Sequence, residues 1–396
     1  MPACAVCPIS ELVRHPSPNS LVECFARVPD PRDRRGRIHP LPVLLCLAAC
    51  AVTAGHSTPT EIGEWRQDAS QELPAALGAR YDALTGWYLA PGKDTVTRVL
   101  AGIDADVPDC ALCAFQAQIA ADAAGTPARG GEHLALDGKV LRGSRAAGYP
   151  AVMLISAYAP ASGVVVAQRE IPAKTNEIPE VPDLLANVAL VGKVVTADAL
   201  HTQDATARHL RKRGAHYVLT VKANRPKLLS AIKERFADPA RITDGSCEIE
   251  RGHGVYRIRR IETVDAAGLP FPGAVQAARI TRYTCDPATG LPTAKEVVYI
   301  VTSLPPHRAG AAKTAGYVRA HWAVENQVHY VRDVALREDA CRAATGNLPR
   351  APAGLRNLAI GALRLAGWTN IASGLRKHAR NPHPIPALLH LTKADV

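Results

Sequence analysis

Apolar and polar positions divide the chain into a helical first third and a strand-rich remainder. Up to about residue 125 the apolar period is helical, through "SPNSLVECFARVPDPRDRRGR", "LPVLLCLAACAVTAG" at 41 to 55, "TPTEIGEWRQDASQELPAALG", "KDTVTRVLAGIDAD" and an alanine-rich stretch. Thr58, Pro59 and Thr60 read as a helix start. "GTPARGG" at 125 to 131 reads as a linker, and beyond it short apolar runs alternate with turn residues. Strands are predicted in "HLALD" (133 to 137), "AVMLISAYA" (151 to 159) and "GVVVAQREI" (163 to 171), then a helix through "VPDLLANVAL", then a strand in "KVVTAD" (193 to 198). Three strands on short turns, a helix and a further strand give an α/β fold, a mixed sheet covered by helices. The segment 202 to 238 reads helix, strand, turn, helix. Residues 247 to 303 return to β, 313 to 340 are helical, and the basic C-terminal part is helical too.

Composition changes this picture in one respect, the partner. Lys plus Arg exceed Asp plus Glu by 47 to 36, for a formal charge of +11, which points to an anionic partner and above all to nucleic acid. The excess is local: residues 204 to 235 carry nine basic residues against Asp204 and Glu234, and 341 to 394 have no acid at all. Solvated helix faces are the plainer explanation of such runs. The loop "PDPRDRRGRIHP" gathers Arg32, Arg34, Arg35 and Arg37, and reads as a phosphate grip or a solvated connector. The run at 41 to 55 is shorter than the roughly 18 to 20 residues that cross a bilayer, so no membrane partner is expected. The N-terminus lacks the pattern of a secretory signal, and a cytoplasmic location is expected. Two Cys-x-x-Cys pairs, Cys4/Cys7 and Cys110/Cys113, have zinc-ligand spacing, although the second sits on a helical apolar period that favours core packing.

Three acids carry the chemistry. Asp137 ends an apolar strand and precedes a glycine, as in an Asp-Gly turn; Asp198 ends another strand where a helix begins, as an N-cap does. Both also stand at carboxyl ends of buried strands, where sheet proteins of this kind build sites. Two carboxylates together call for a cation, and Mg2+ prefers oxygen ligands. Lys139, Arg142 and Arg145 would then suit a phosphate. In "YVRAHWAVENQVHYVRDVALREDA", His321, Glu325, His329 and Asp333 recur every four residues and would share one helix face. That stripe admits a transition-metal site in a helical bundle, or a surface stripe paired with Arg319 and Arg332. If Glu325 joins Asp137 and Asp198, the three suit two Mg2+ ions and phosphodiester chemistry.

Those motifs carry a resemblance. From "VPDPRDRRGRIHPLPVLLCLAACAVTAGHSTPTEIGEW" through "LALDGKVLRGS", "KTNEIPEVPDLL", "VVTADALHTQ", "YVLTVKANRPKL" and "HWAVENQVHYVRDVALREDA", the chain resembles the DDE-type insertion-sequence transposases, in the branch of the H-repeat-associated proteins. The resemblance implies a ribonuclease-H-like mixed sheet with a β-rich insertion, preceded by a helical N-terminal domain. Its parts would be a helical domain at 1–125 with a possible role in DNA binding, the first part of the catalytic core at 131–245, the insertion at 246–304, and the catalytic helix with the basic C-terminal part at 305–396. It implies Asp137, Asp198 and Glu325 as catalytic triad and metal ligands, with Mg2+ (two ions, Mn2+ able to substitute) as cofactor. Double-stranded DNA would be the partner, as element ends and target, and a homodimer would form at synapsis. Ala223, Arg225 and Tyr330 stand where the family usually has Gly, Gln and often Trp.

Other residues are candidates beside the triad. Lys139, Arg142, Lys222, Asn224 and Arg319 are expected at DNA, each alternatively a surface residue, and Trp322 on an unpaired base or in the core. His201, with Gln203, is expected near the metal or the scissile phosphate, and His321 beside Glu325 as its hydrogen-bond partner. Two other functions fit the same charge: a catalytically silent DNA-binding repressor, and a metal-dependent nuclease that never joins strands.

Overall fold

A computed structural model describes residues 20–124, 133–146, 150–252 and 255–391. Cys4/Cys7 and the linker at 125–131 lie outside them. The chain divides into two compact units, Met1–Pro127 with Gly138–Asn176 and Glu325–Val396, and Ala128–Asp137 with Glu177–Val324.

The first unit is mainly helical. Its helices are α1 (Leu21–Ala26), α2 (Leu41–Thr53), α3 (Pro59–Asp68), α4 (Lys93–Gly102) and α5 (Asp106–Ala124). Helix α2 is apolar on every side and accordingly buried along nearly its whole length, the behaviour of a core helix rather than a surface one. It ends at Gly55, whose φ of +93° suits a residue without a Cβ. Helix α3 starts on a capping box, Thr58 Oγ1 accepting from the Glu61 amide and Glu61 returning its carboxylate to Thr58 N. One feature was not expected in this helical stretch: Tyr81–Asp82 pairs antiparallel with Trp87–Tyr88. The side chain of Asp82 caps the turn and Gly86 closes it at φ +74°.

Strand β1 (His133–Leu141) passes from one unit to the other between Asp137 and Gly138. Its last residues belong with β2 (Val152–Ala159) and β3 (Val164–Ile171), an antiparallel pair in the first unit, in the order β3-β2-β1. The same unit contains α10 (Ala351–Leu365) and α11 (Ile371–Arg380); α10 packs on α2, α5 and β3. Small residues allow the contact with α5. A Cβ on Gly354 would collide with the Asp109 carboxylate, and one on Gly361 with the Gln116 amide.

The second unit holds β4 (Val194–Ala197), β5 (His216–Val221), β6 (Ile242–Gly252), β7 (Val255–Asp265), β8 (Gln276–Cys285) and β9 (Pro292–Thr302). Their order, beginning with β1, is β1-β4-β5-β9-β8-β7-β6. Strands β1, β4 and β5 are parallel, and the other four continue as an antiparallel meander. Central β4, "VVTA", is buried at all four positions, as a strand covered on both faces should be. Helices α6 (Asp204–Lys212), α7 (Pro226–Arg235) and α8 (Ala311–His321) complete the unit, with Ala311, Ala315, Tyr317 and Val318 of α8 packed on Ile261, Ile280 and Ile300. The helix expected through "VPDLLANVAL" is only Val181–Leu184. Among the described residues no helix is long and apolar enough to cross a membrane.

Candidate active site

In the second unit, the register of β1 with β4 runs from His133↔Val194 to Leu136↔Ala197. Asp137 and Asp198 are each the next residue, so two carboxylates leave adjacent parallel strands at one level. Neighbouring strands are roughly 4.8 Å apart. Asp198 is exposed and its Oδ1 accepts the Leu200 amide at 2.9 Å, capping the short turn Ala199–His201. The N-cap expected of Asp198 is therefore present, and it leaves the carboxylate at the strand end.

Side chains alternate along a strand, so His133 and Thr196 lie on the face that bears the two acids. Thr196 Oγ1 is 2.7 Å from His133 Nε2 and 3.1 Å from His321 Nδ1. Burial pushes the His133 imidazole down to about 3, and that of His321 down to about 4 despite the nearby Asp198 anion. Both rings are neutral at pH 7. His321 thus engages the strand of Asp198.

His201 is 1% exposed, and its Nε2 lies 2.9 Å from Glu177 Oε2, which ties the loop after Asp198 to the "KTNEI" segment. Asn224 donates to Ala199 O at 2.6 Å, which makes it a brace for that loop rather than a phosphate contact. Arg225 reinforces it through an ion pair with Asp204. Arg319 pairs with Glu248, and Lys222 is exposed after β5.

The first unit holds the rest. After α8 of the second unit, which ends at His321 with Trp322 as its C-cap, residues Glu325–His329 form a π turn, and α9 (Tyr330–Val334) resumes the α form. The spacing of four is therefore carried by differently wound segments, not by one regular helix face. Such π turns are frequent at functional sites. Glu325 is exposed, and its Oε2 lies 3.1 Å from Nδ1 of His329, which is 3% exposed. Burial first, then Arg332 and Lys139, push His329 down to about 3. The result is a carboxylate beside a neutral imidazole, both competent metal donors. Tyr158 donates to Gln327, inside the π turn, at 2.6 Å.

Lys139 departs furthest from expectation. It is 7% exposed, with Nζ 2.6 and 2.7 Å from the Asp333 oxygens, so it does not face a phosphate. Arg332 is buried too, held by Glu338 at 2.8 Å on two nitrogens and by Gln168 and Asn357. Arg356 joins Glu338 at 2.8 Å and donates to Ser57 O. Burial opposes ionisation of Glu338, but Arg332 and Arg356 outweigh it and bring the carboxyl to about 2. With Asp333 taken by Lys139 and His321 by Thr196, the four-residue stripe is not a bundle metal site. Nor is it a surface stripe. Arg142 has an 82% exposed side chain, and Trp322 is 55% exposed. Cys110 and Cys113 lie on α5, where burial keeps the Cys113 thiol protonated.

The family "Transposase DDE domain" matches residues 128–360, and its partner family "DDE_Tnp_1-associated" matches 22–115. The chain belongs to the DDE-type transposases. Within them it falls in the H-repeat-associated branch. It is similar to YncI of Escherichia coli O157:H7, 28% identical over 358 residues, 87% of each chain. It is also similar to the H repeat-associated YhhI of Escherichia coli K12, 28% identical over 378 residues, 91% of this chain and 94% of that one. YbfL of the same strain is 30% identical over 264 residues, 62% of this chain and 67% of its own.

Proposed function

We propose that the protein is a DNA transposase that cuts phosphodiester bonds at the ends of its element and joins the freed 3′-hydroxyl to target DNA. Asp137, Asp198 and Glu325 are its catalytic carboxylates, on a ribonuclease-H-like sheet with 246–304 as a β-rich insertion. The observation that carries this is the common level of Asp137 and Asp198 on adjacent parallel strands. Two anions one strand spacing apart repel unless a cation lies with them. Glu325 follows Val324, the last residue of the unit that holds both acids.

The donor set fits Mg2+, which prefers oxygen, and the neutral His329 beside Glu325 explains why Mn2+ could substitute. Bound metal would ease deprotonation of the attacking water or 3′-hydroxyl and stabilise the departing oxygen. The protein's own groups hold that site in shape. Asp198 is fixed by the Leu200 amide, Glu325 by His329, and the π turn by Tyr158. Arg142 and Lys222 are exposed cations suited to flanking phosphates, and Trp322 offers a ring on which an unpaired base could stack. The enzyme would work in the cytoplasm on double-stranded DNA, as a homodimer when two ends are held together.

The test is Mg2+-dependent cleavage of the element's own end sequences. Asp137→Ala, Asp198→Ala and Glu325→Ala should each abolish it, and retained cleavage in all three overturns the proposal. Joining of pre-cut ends to a target separates a transposase from a nuclease.

A further inference from the structure

Two arginines of the second unit converge on one imidazole. His216 opens β5 and is 8% exposed. Arg211, in the last turn of α6, has Nη1 3.1 Å from its Nδ1, and Arg308, from the loop between β9 and α8, has Nη1 2.9 Å from its Nε2. The carbonyl of Ser303, 3.0 Å from Nδ1, accepts the ring's hydrogen, so Nε2 holds the lone pair that takes a hydrogen from Arg308. Arg211 meets no lone pair at Nδ1 and spends a hydrogen on Ala215 O at 2.8 Å. Burial first, then the two arginines, hold the ring below its ordinary pKa against the bond to Ser303, so it is neutral at pH 7.

No acid balances the pair. Among the described residues neither arginine pairs with a carboxylate, and Asp204, at the start of α6, is taken by Arg208 and Arg225. Two like charges flanking one neutral ring repel each other, and an anion held by both removes that cost. Both are open to solvent, Arg211 exposed and Arg308 half-exposed. Both are also held in place: Arg308 Nη2 donates to Gly192 O at 3.4 Å, and the stem of Arg211 runs past Gly273, where a Cβ would come within 3.3 Å of its Cγ. A guanidinium has five hydrogens, so each keeps donors for a ligand beyond these bonds. His216 stands opposite Val194, at the end where β5 and β4 begin. Asp198 is four residues beyond Val194, about 13 Å along the strand, so these cations are separate from the acids.

We propose that Arg211 and Arg308 together bind a backbone phosphate of duplex DNA at the amino ends of the parallel strands, away from the carboxylates that do the chemistry. Forked donors that are always charged match phosphate oxygens, and the exposed Lys212 adds attraction from a distance. Such a contact carries no sequence information and holds the duplex in register. This rests on the proposal that the protein acts on DNA.

The test uses the full chain in EDTA, with a mixed-sequence DNA duplex titrated at several salt concentrations and thermal unfolding measured alongside. Arg211→Gln, Arg308→Gln and the double variant are compared with Arg241→Gln, which removes the same charge from a 59% exposed side chain ahead of β6. Each single site variant should bind about fivefold more weakly near physiological salt, with the slope of log K against log salt shallower by about one, and the double variant by about two. Arg211→Lys should keep the slope, and Arg241→Gln should stay close to wild type. Equal effects of the site variants and Arg241→Gln, or no effect of a folded site variant, overturn the assignment. Should Arg308→Gln not fold, Arg211→Gln, at the exposed residue, decides. If wild type binds no duplex, the DNA reading fails, and inorganic phosphate decides the rest. A phosphate-dependent rise in melting temperature lost in Arg211→Gln keeps the anion site; an equal rise in both proteins, or none in either, overturns it.

Discussion

Lys139 and Asp333 form a two-point ion pair, Nζ lying 2.6 and 2.7 Å from the carboxylate oxygens, with the lysine almost wholly out of water. Burial still holds Asp333 above the ordinary carboxylate pKa, so desolvation is not fully repaid by the lysine. Lys139→Met should therefore cost about 3 kcal/mol by leaving a half-buried acid uncompensated, whereas Lys139→Met with Asp333→Leu should cost less than either single change. Urea denaturation of the two singles and the double forms the cycle that checks this.

Glu338 makes stability depend on acid. Its carboxyl is near 2 in the folded chain against an ordinary 4.5, because Arg332 and Arg356 favour the anion. A lowered folded pKa gives stability that is complete above the unfolded value and is lost as pH falls through 4.5 towards 2. The loss approaches about 3 kcal/mol. Glu338→Gln should be less stable at pH 7 and show a flatter fall between pH 5 and 2, which acid-titrated unfolding would reveal. An unchanged pH slope would contradict the role given to Glu338.

Thr196 bridges a buried ring, His133, and a half-buried one, His321, with one hydroxyl. Thr196→Val keeps the shape and strands both His133 and His321, at a cost of about 2 kcal/mol, while Thr196→Ser should recover most of it. Thermal melts of the two variants distinguish loss of the hydrogen bonds from loss of packing.

Local signals were legible in the sequence and distant ones were not. The helix start at Thr58 is written within four residues, and the strand end at Asp198 follows from a short apolar run, whereas the strand expected to end in a turn at Asp137 and Gly138 runs on to Leu141. Nothing beside Lys139 reveals that it is buried, because its partner Asp333 is 194 residues away. Nor does anything beside His201 reveal its partner Glu177, which is 24 residues upstream. The spacing of His321, Glu325, His329 and Asp333 predicts an α-helix, and period alone cannot register the wider π turn. The bond that braces it comes from Tyr158, on a strand that reads simply as apolar.

Tyr158 gives the sharpest test of the π turn. Its hydroxyl donates to Gln327 Oε1 at 2.6 Å, and burial raises the phenol to about 12, so it remains a donor at any working pH. Gln327 lies between Glu325 and His329, and the wide turn is less well supported by its own backbone than an α-helix would be. Tyr158→Phe should cost only about 1 kcal/mol of stability. If the turn aims Glu325 at a metal, the same change should slow cleavage by about tenfold or more and raise the Mg2+ concentration needed for half-maximal activity. Both readouts belong well below the melting temperature, where a loss of folded protein cannot imitate them. Unchanged metal dependence with an unchanged rate would mean that Tyr158 braces the fold and leaves Glu325 untouched.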